Sequence, residues 1–311
     1  MKYKLSVLSG AICYGILSTI VTKAYAQGYA LGEVVGSQLL TGFLLAWALV
    51  LFVQGRNAPK RSEAGTSTRR NAKLSWKQRF LLMSAGTPTA ITGLLYYESL
   101  HYISNSLAIL LLFQFTWIGV LMQAIARRRR PGGATLITLA VLLGGTIMAA
   151  GVIDQGMAGL NWRGVAFGLA SALSYSLFIL FSGKAVPSVH PARRSAWMIT
   201  GGMLLVFALF PPTFLFNGAL LSGLLPFGLM LGLFGAFLPP VLYAIGVPRI
   251  GEGLTGILGA SELPVAVLLA AVVLREHVSV LQWAGVAVVL LGVALPELIA
   301  RLPRKSASIL E

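Results

Sequence analysis

The stretch GLTGILGASELPVAVLLAAVVLR, residues Gly253 to Arg275, is a continuous apolar segment with one carboxylate, Glu262, near its middle. It is long enough for a helix to cross a bilayer, which takes about 20 residues. A charged group at the centre of a membrane helix costs about 2.5–3.5 kcal/mol on the insertion scale, so it normally faces the protein interior or a water-filled cavity. The stretch therefore predicts a membrane-spanning helix with a polar point at mid-membrane.

Pro264 follows Glu262 by two residues. A proline nitrogen carries no hydrogen, so it cannot donate to the carbonyl of Ala260, four residues earlier. We expect that carbonyl to be free to face a partner or a substrate. Glu262 and Pro264 are therefore our first candidates for coupling or gating residues.

Composition extends this interpretation to the whole chain. The 311 residues are 57% hydrophobic and only 11% charged, with a mean hydropathy of +0.82, which is too apolar for a soluble globular domain. The apolar runs are continuous rather than alternating, which excludes a closed barrel. The predicted fold class is an all-α polytopic membrane protein. The single cysteine, Cys13, allows neither an intrachain disulfide nor a cysteine metal cluster, and we expect no metal site.

Ten apolar runs of spanning length follow one another along the chain. We expect them at residues 5–25, 34–53, 80–100, 106–126, 136–152, 164–181, 196–216, 226–247, 253–274 and 281–300.

Lysine and arginine residues mark one side of the predicted membrane. If the N-terminus is placed inside, all but Lys23, Arg163 and Arg275 of the 24 basic residues fall on the inner side. The positive-inside rule then predicts that both termini are cytoplasmic in a cell membrane, inner or plasma. The net charge of +15 is explained by this topology, and since no basic patch with interleaved aromatics occurs, we expect no nucleic-acid partner.

An internal repeat relates the two halves of the chain. A shift of 147 residues places Tyr96 on Tyr243, and a shift of 161 places Tyr14 on Tyr175. Each half would hold five spans, so the second half would enter the membrane from the opposite side, as in inverted-repeat carriers. The predicted halves are residues 1–155, including a basic cytoplasmic loop at 54–79, and residues 160–303.

Polar side chains at helical spacing indicate a lined cavity. Tyr14, Ser18 and Thr22 recur every four residues and lie on one helix face. Serine and threonine in membrane helices also commonly bond their own backbone or a neighbouring helix. The candidate substrate-binding residues are Tyr14, Ser18, Thr22, Gln38, Tyr96, Gln114, Trp117, Tyr175, Tyr243, Ser261 and Glu262.

Glu98 is a further ionisable residue at membrane level. It lies three residues before His101, near the expected outer end of the third span, where the two side chains could bond each other or water. We add Glu98 to Glu262 and Pro264 as a coupling or gating candidate.

Two long segments resemble a known family. YYESLHYISNSLAILLLFQF, starting at Tyr96, and LYAIGVPRIGEGLTGILGASELPVAVLLAAVVLREHVSVLQWAGVAVVLLGVAL, starting at Leu242, are similar to the EamA-like ten-helix branch of the drug/metabolite transporter superfamily. Pro264 stands where that family interrupts its ninth helix, and Gly285 and Gly292 fit its last helix. The chain departs from the family pattern at Gln38, where an arginine is common, at Trp117, where the repeat would have proline, and at Arg127–Arg130, where an acidic corner is common.

The resemblance implies a secondary transporter that moves a small-molecule substrate across the bilayer by alternating access, as many members export amino acids or related compounds. The chain has no GxxxxGK[ST] motif, so coupling to protons, or facilitated diffusion, would have to drive it, and we expect no cofactor. Monomer and homodimer both stay open.

An alternative substrate is a choline-like organic cation. Tyr14, Tyr96, Trp117, Tyr175 and Tyr243 would form an aromatic cage, with Glu262 as the counter-charge.

Two other classes of protein are disfavoured. An intramembrane enzyme would need a metal cluster, a Ser–His pair or paired aspartates, but His101, His190 and His277 are spread along the chain and Asp154 is the one aspartate. A passive channel would show a ring of like residues or a filter-like loop, and neither is evident.

Overall fold

The computed structural model describes residues 1–57, 74–103, 105–128, 130–149, 161–275 and 278–301. The ends of the two predicted halves, and most of the predicted basic loop, lie outside these residues. Every regular element in the described part is helical, and the helices form ten rods.

The rods follow the order of the ten expected spans. Rod 1 contains α1 (Lys2–Gly15) and α2 (Leu17–Ala26), rod 2 is α3 (Leu31–Asn57), rod 3 is α4 (Trp76–Ser99), rod 4 contains α5 (Asn105–Leu112) and α6 (Phe115–Arg127), and rod 5 is α7 (Gly133–Ala149). Rod 6 is α8 (Trp162–Lys184), rod 7 is α9 (Pro191–Leu209), rod 8 contains α10 (Leu225–Leu231) and α11 (Leu238–Ile250), rod 9 contains α12 (Glu252–Gly259) and α13 (Glu262–Val273), and rod 10 is α14 (Val280–Arg301).

Six of the rods are long and apolar enough to cross a membrane by length and composition. They lie at Lys2–Ala26, Leu31–Gln54, Leu107–Ala126, Trp162–Ser182, Leu220–Ile250 and Leu254–Val273. Two shorter apolar helices, Gly133–Ala149 and Val280–Leu295, supply rods 5 and 10. The remaining two, rods 3 and 7, pack directly on each other. The predicted class, an all-α polytopic membrane protein, is confirmed.

Rods 4 and 9 are both interrupted near their middles. In rod 4 one helix ends at Leu112 and the next begins at Phe115; in rod 9 the corresponding residues are Gly259 and Glu262. These positions are 147 residues apart, which is the shift of the predicted internal repeat. Discontinuous helices of this kind form the substrate sites of many carriers.

The backbone hydrogen bonds at the two breaks also correspond. The Gln114 N–H donates to the Leu111 carbonyl at 3.2 Å, and 147 residues later the Ser261 N–H donates to the Leu258 carbonyl at 3.2 Å. A second matched pair follows, Thr116 to Phe113 at 3.1 Å and Leu263 to Ala260 at 3.2 Å. Each break is therefore one tightened turn of the same geometry.

Rods 5 and 10 exchange contacts under the same shift. A Cβ added at Gly145 would lie 2.9 Å from the Val289 nitrogen, and one added at Gly292 would lie 2.7 Å from Leu142. Adding 147 to the residue number takes Gly145 to Gly292 and Leu142 to Val289. The contact of Gly145 with Val289 therefore corresponds to the contact of Gly292 with Leu142. A two-fold axis between rods 5 and 10 would produce this exchange.

Glycines bring the backbones of rods 3 and 7 together. A Cβ at Gly86 would overlap the backbone of Met198, and one at Gly201 would overlap the backbone of Met83. Small residues allow this close approach in membrane helices.

Three arginines lie at one end of the bundle, which we call the basic end. The Arg79 guanidinium lies 5.4 Å from the Trp197 ring, and that of Arg249 lies 5.4 Å from the Tyr3 ring. Arg194 lies close by and bonds the carbonyl of Ala244. Under the positive-inside rule this end would be cytoplasmic.

Candidate functional site

A cavity of about 70 Å³ lies at the centre of the bundle, beside the break in rod 9. A water molecule needs about 10–15 Å³ of such space, so the cavity has room for about five to seven waters or one small-molecule ligand of that size. Rods 1, 2, 3, 4, 6, 8 and 9 all contribute to its wall. Its principal lining residues are Tyr14, Ser18, Gln38, Thr89, Gly93, Tyr96, Tyr97, Phe113, Tyr175, Gly235 and Glu262.

Glu262 is the charged residue of this wall. It lies in the first turn of α13 and is 9% exposed. Its Oε2 is buried and has no hydrogen-bond partner among the described residues. None of the described lining residues is basic. A buried carboxylate without a partner is costly in its charged form unless a proton, a cation or water meets it.

Two hydroxyl groups of the same wall are also unsatisfied. The phenol oxygen of Tyr14 and Oγ1 of Thr89 are buried, and neither has a hydrogen-bond partner in the described part of the chain. Buried polar atoms are normally paired, so an unpaired one calls for an explanation. Three of them around one cavity are what a site for a polar ligand requires.

Aromatic rings close the cavity toward the basic end. Tyr175 and Tyr243 share a hydrogen bond of 3.1 Å between their hydroxyls, and the Phe178 ring stacks on both, at 6.1 and 5.9 Å. Tyr14 meets both tyrosines edge-on, and Phe115 lies 4.6 Å from Tyr175. We call these five residues the aromatic plug.

On the side of the cavity away from the basic end, a hydrogen bond between a tyrosine and a glutamine amide joins rods 2 and 3. The Tyr97 hydroxyl donates to Oε1 of Gln38 at 3.1 Å, and the Tyr25 hydroxyl donates to the Tyr97 carbonyl at 3.5 Å. Beyond them opens a groove of about 730 Å³, lined by Leu94, Phe167 and Phe210 together with two carboxylates, Glu33 and Glu98. Glu98 thus belongs to this outer groove rather than to the cavity, and His101 stacks on Tyr25 at 4.6 Å.

Six of the predicted binding residues line the cavity, namely Tyr14, Ser18, Gln38, Tyr96, Tyr175 and Glu262. Tyr243 lies one layer behind, bonded to Tyr175.

The other four predicted binding residues are not among the lining residues, because their polar groups bond close by in sequence. Thr22 donates to the Ser18 carbonyl at 2.9 Å, and Ser261 donates to the Leu258 carbonyl at 2.8 Å. Gln114 donates to the Leu110 carbonyl at 2.9 Å and accepts from the indole of Trp117 at 2.8 Å. Trp117 is 38% exposed on the outside of the bundle.

Two residues outside the predicted set, Thr89 and Tyr97, also line the cavity. A signal was available, because Thr89, Gly93, Tyr96 and Tyr97 recur every three or four residues along rod 3 and so share one face.

The expectation of a free carbonyl at Ala260 is wrong. The break at Ser261 brings the Leu263 N–H to that oxygen, at 3.2 Å, so the group missing from Pro264 is replaced by the preceding residue. Pro264 itself is buried beside Glu262 in the first turn of α13.

Rod 1 approaches rod 9 closely at the break. A Cβ at Gly15 would lie 2.5 Å from the Glu262 carbonyl oxygen and 2.7 Å from Val265. Rod 1 is itself interrupted here, between Gly15 and Leu17. The absence of a side chain at Gly15 therefore sets the position of Glu262 against rod 1.

A bundle of ten helical rods, most of them long and apolar, defines the class of the protein as a polytopic membrane protein. Residues 162–296 match the model of the EamA-like transporter family, so this part of the chain is similar to the domain of that family.

Solved structures show the same fold. In one of them, a crystal structure, the superposition covers 96% of this chain and 98% of the other chain. The TM-score is 0.71 and the sequence identity is 16%. In all, 28 solved chains are similar to this one. A search of curated proteins found no match.

Proposed function

We propose that the protein is a secondary transporter that carries a small metabolite with an ammonium group, by alternating access around the central cavity. The observation that carries the proposal is the unpaired Glu262 carboxylate in a wall without a basic side chain.

The proposal includes two inverted repeats, residues 1–155 and 160–303. The matched breaks in rods 4 and 9, and the exchanged glycine contacts of rods 5 and 10, support it. Carriers of this construction work by rocking one part of the bundle against another around a fixed site. The basic end would face the cytoplasm of a cell membrane.

The charge of the wall favours a cation over a zwitterion. An ammonium group could meet Glu262 and the faces of Tyr14, Tyr96 and Tyr175, as in other aromatic cation sites. An amino acid also offers an ammonium group, but its carboxylate would meet hydroxyls and the Gln38 amide without a basic partner. The choline-like cation is therefore our first candidate, and an exported amino acid is the second.

Protons would compete with the substrate for Glu262. A carboxylate buried without a partner is stable when protonated or when paired with a cation, so one occupant can replace the other as the cavity opens on either side. This competition would couple transport to a proton gradient.

Ligand binding to purified protein tests the proposal. Choline and a neutral isostere are titrated, with thermal stabilisation as the measure of occupancy. Glu262→Gln is expected to weaken choline binding roughly 10- to 100-fold, the loss of one charge-assisted contact. It should also remove the pH dependence of uptake into proteoliposomes.

Glu98→Gln, in the outer groove, is the matched control and should keep both choline binding and the pH dependence of uptake. Normal pH-dependent uptake by Glu262→Gln would contradict the proposal, and tight binding of neutral amino acids without choline binding would favour the second candidate.

A further inference from the structure

Arg194 is the largest fully buried side chain of the described residues, at 1% exposure. It lies in the first turns of α9, at the basic end. The described residues offer it no carboxylate partner within ion-pair distance, and its Nε has no hydrogen-bond partner. Its Nη2 donates across to rod 8, to the carbonyl of Ala244. A buried arginine used in this way needs an explanation beyond packing.

The Ala244 carbonyl is available because of a proline. In a regular helix it would accept from the N–H four residues later, but that residue is Pro248, inside α11. An unpaired carbonyl within a membrane is costly, and a neighbouring helix can satisfy it. Arg194 supplies the missing donor, so one hydrogen bond joins rods 7 and 8 at this level.

The segment held by Arg194 is the one that closes the cavity. Tyr243 immediately precedes Ala244 and belongs to the aromatic plug, where its hydroxyl meets that of Tyr175 at 3.1 Å. Its ring also lies against rod 1, since a Cβ at Gly10 would be 2.8 Å from it. A shift of α11 away from rod 7 would carry Tyr243 out of the plug and open the cavity toward the basic end.

We infer that Arg194 is a positioning residue for transport: by bonding the carbonyl that Pro248 leaves unpaired, it holds α11 and Tyr243 in place and keeps the basic end of the substrate path closed. The inference rests on the proposed function, because alternating access requires one end of the substrate path to be closed while the other end is open. The bond suits this role, since a hydrogen bond is strong in a dry interior but is exchanged for bonds to water when water enters. It therefore stabilises the closed form and adds little to the open one.

Labelling of a cavity cysteine from each face of the membrane tests the inference without a substrate. Cys13→Ser removes the native cysteine, and Ala90→Cys places a new one in the cavity wall, where Ala90 is 3% exposed. A membrane-impermeant thiol reagent is then added to either face of reconstituted vesicles. Arg194→Met is expected to raise the labelling rate from the basic-end face about tenfold, the loss of one hydrogen bond from a charged donor, and to lower it from the opposite face.

Three further variants separate positioning from general stability. Arg194→Lys keeps one charged donor and should restore part of the wild-type rates. Arg79→Met removes an arginine of the same end that contacts the Leu74 carbonyl and the Trp197 ring but not rod 8, and should leave both rates unchanged. Pro248→Ala gives the Ala244 carbonyl a donor within its own helix, so it should by itself raise labelling from the basic-end face and should reduce the effect of Arg194→Met.

Rates that stay at wild-type values, or that rise equally from both faces, would overturn the inference, because a purely structural arginine would loosen both sides. If Arg194→Met does not accumulate, Arg194→Lys and Pro248→Ala decide by the same criterion. Failure of choline to bind the wild-type protein bears on the proposed substrate and leaves the labelling result standing.

Discussion

Rods 4 and 9 are interrupted in the same way but carry different chemistry. Both breaks are closed by the same two tightened backbone hydrogen bonds, 3.1–3.2 Å long. After the break, rod 4 continues with Phe115 and rod 9 with Glu262. Rod 4 has no proline at its break, where rod 9 has Pro264. The interruption therefore does not depend on the proline, and only rod 9 adds an acid.

Phe115 and Glu262 occupy equivalent positions and face the same region. Phe115 is fully buried and lies 4.6 Å from Tyr175. It also fills the space over Gly259, where a Cβ would come within 3.0 Å of its ring. At this position the first half thus supplies an apolar ring, and the second half supplies the carboxylate of the cavity wall.

Among the variants at and near the two breaks, Phe115→Glu is expected to have the largest effect on stability. It would place an acid at the rod 4 position, where a charge at membrane depth costs about 2.5–3.5 kcal/mol, and would also remove a packed ring. We expect a clear fall in the midpoint of thermal unfolding, with Phe115→Leu as the milder control. An unchanged midpoint would mean that the rod 4 break is as open to water as that of rod 9.

Gly15→Ala addresses the approach of rod 1 to rod 9. The added methyl group would overlap the Glu262 carbonyl and Val265, so we expect a loss of about 1–3 kcal/mol of stability, from overpacking, together with weaker choline binding. Gly119→Ala, in rod 4, is the matched control. Nothing lies within 4 Å of its added Cβ, so it should be neutral or slightly stabilising. Equal effects in thermal unfolding and ligand titration would show that the rod 9 contact is not special.

Pro264→Ala is expected to have the smallest effect. The Ala260 carbonyl already accepts from Leu263, so the break should persist and stability should change by less than about 1 kcal/mol. Choline affinity should remain near that of the wild type. A loss as large as that of Glu262→Gln would show that the proline, and not the repeat, maintains the acid's position.

The sequence was sufficient for the spans and for the acid, because continuous apolar runs and one intramembrane carboxylate are strong signals. It was insufficient for Gln114, Trp117 and Ser261, which lie at or just after the two breaks, and for Thr22, which follows the break in rod 1. A tightened turn changes the rotation of the helix that follows, so spacing from the preceding helix no longer tells which way these side chains face. Thr89 and Tyr97 could have been found, since rod 3 is continuous through them.

The glycine contacts between rods 3 and 7 have a mechanical consequence. With Gly86 against the backbone of Met198 and Gly201 against that of Met83, neither helix can slide or rotate past the other without collision. Rods 3 and 7 must therefore move together as one rigid body in any conformational change. Spin labels placed on these two helices should therefore keep a single narrow distance under all conditions, whereas labels on rods 7 and 8 should sample two.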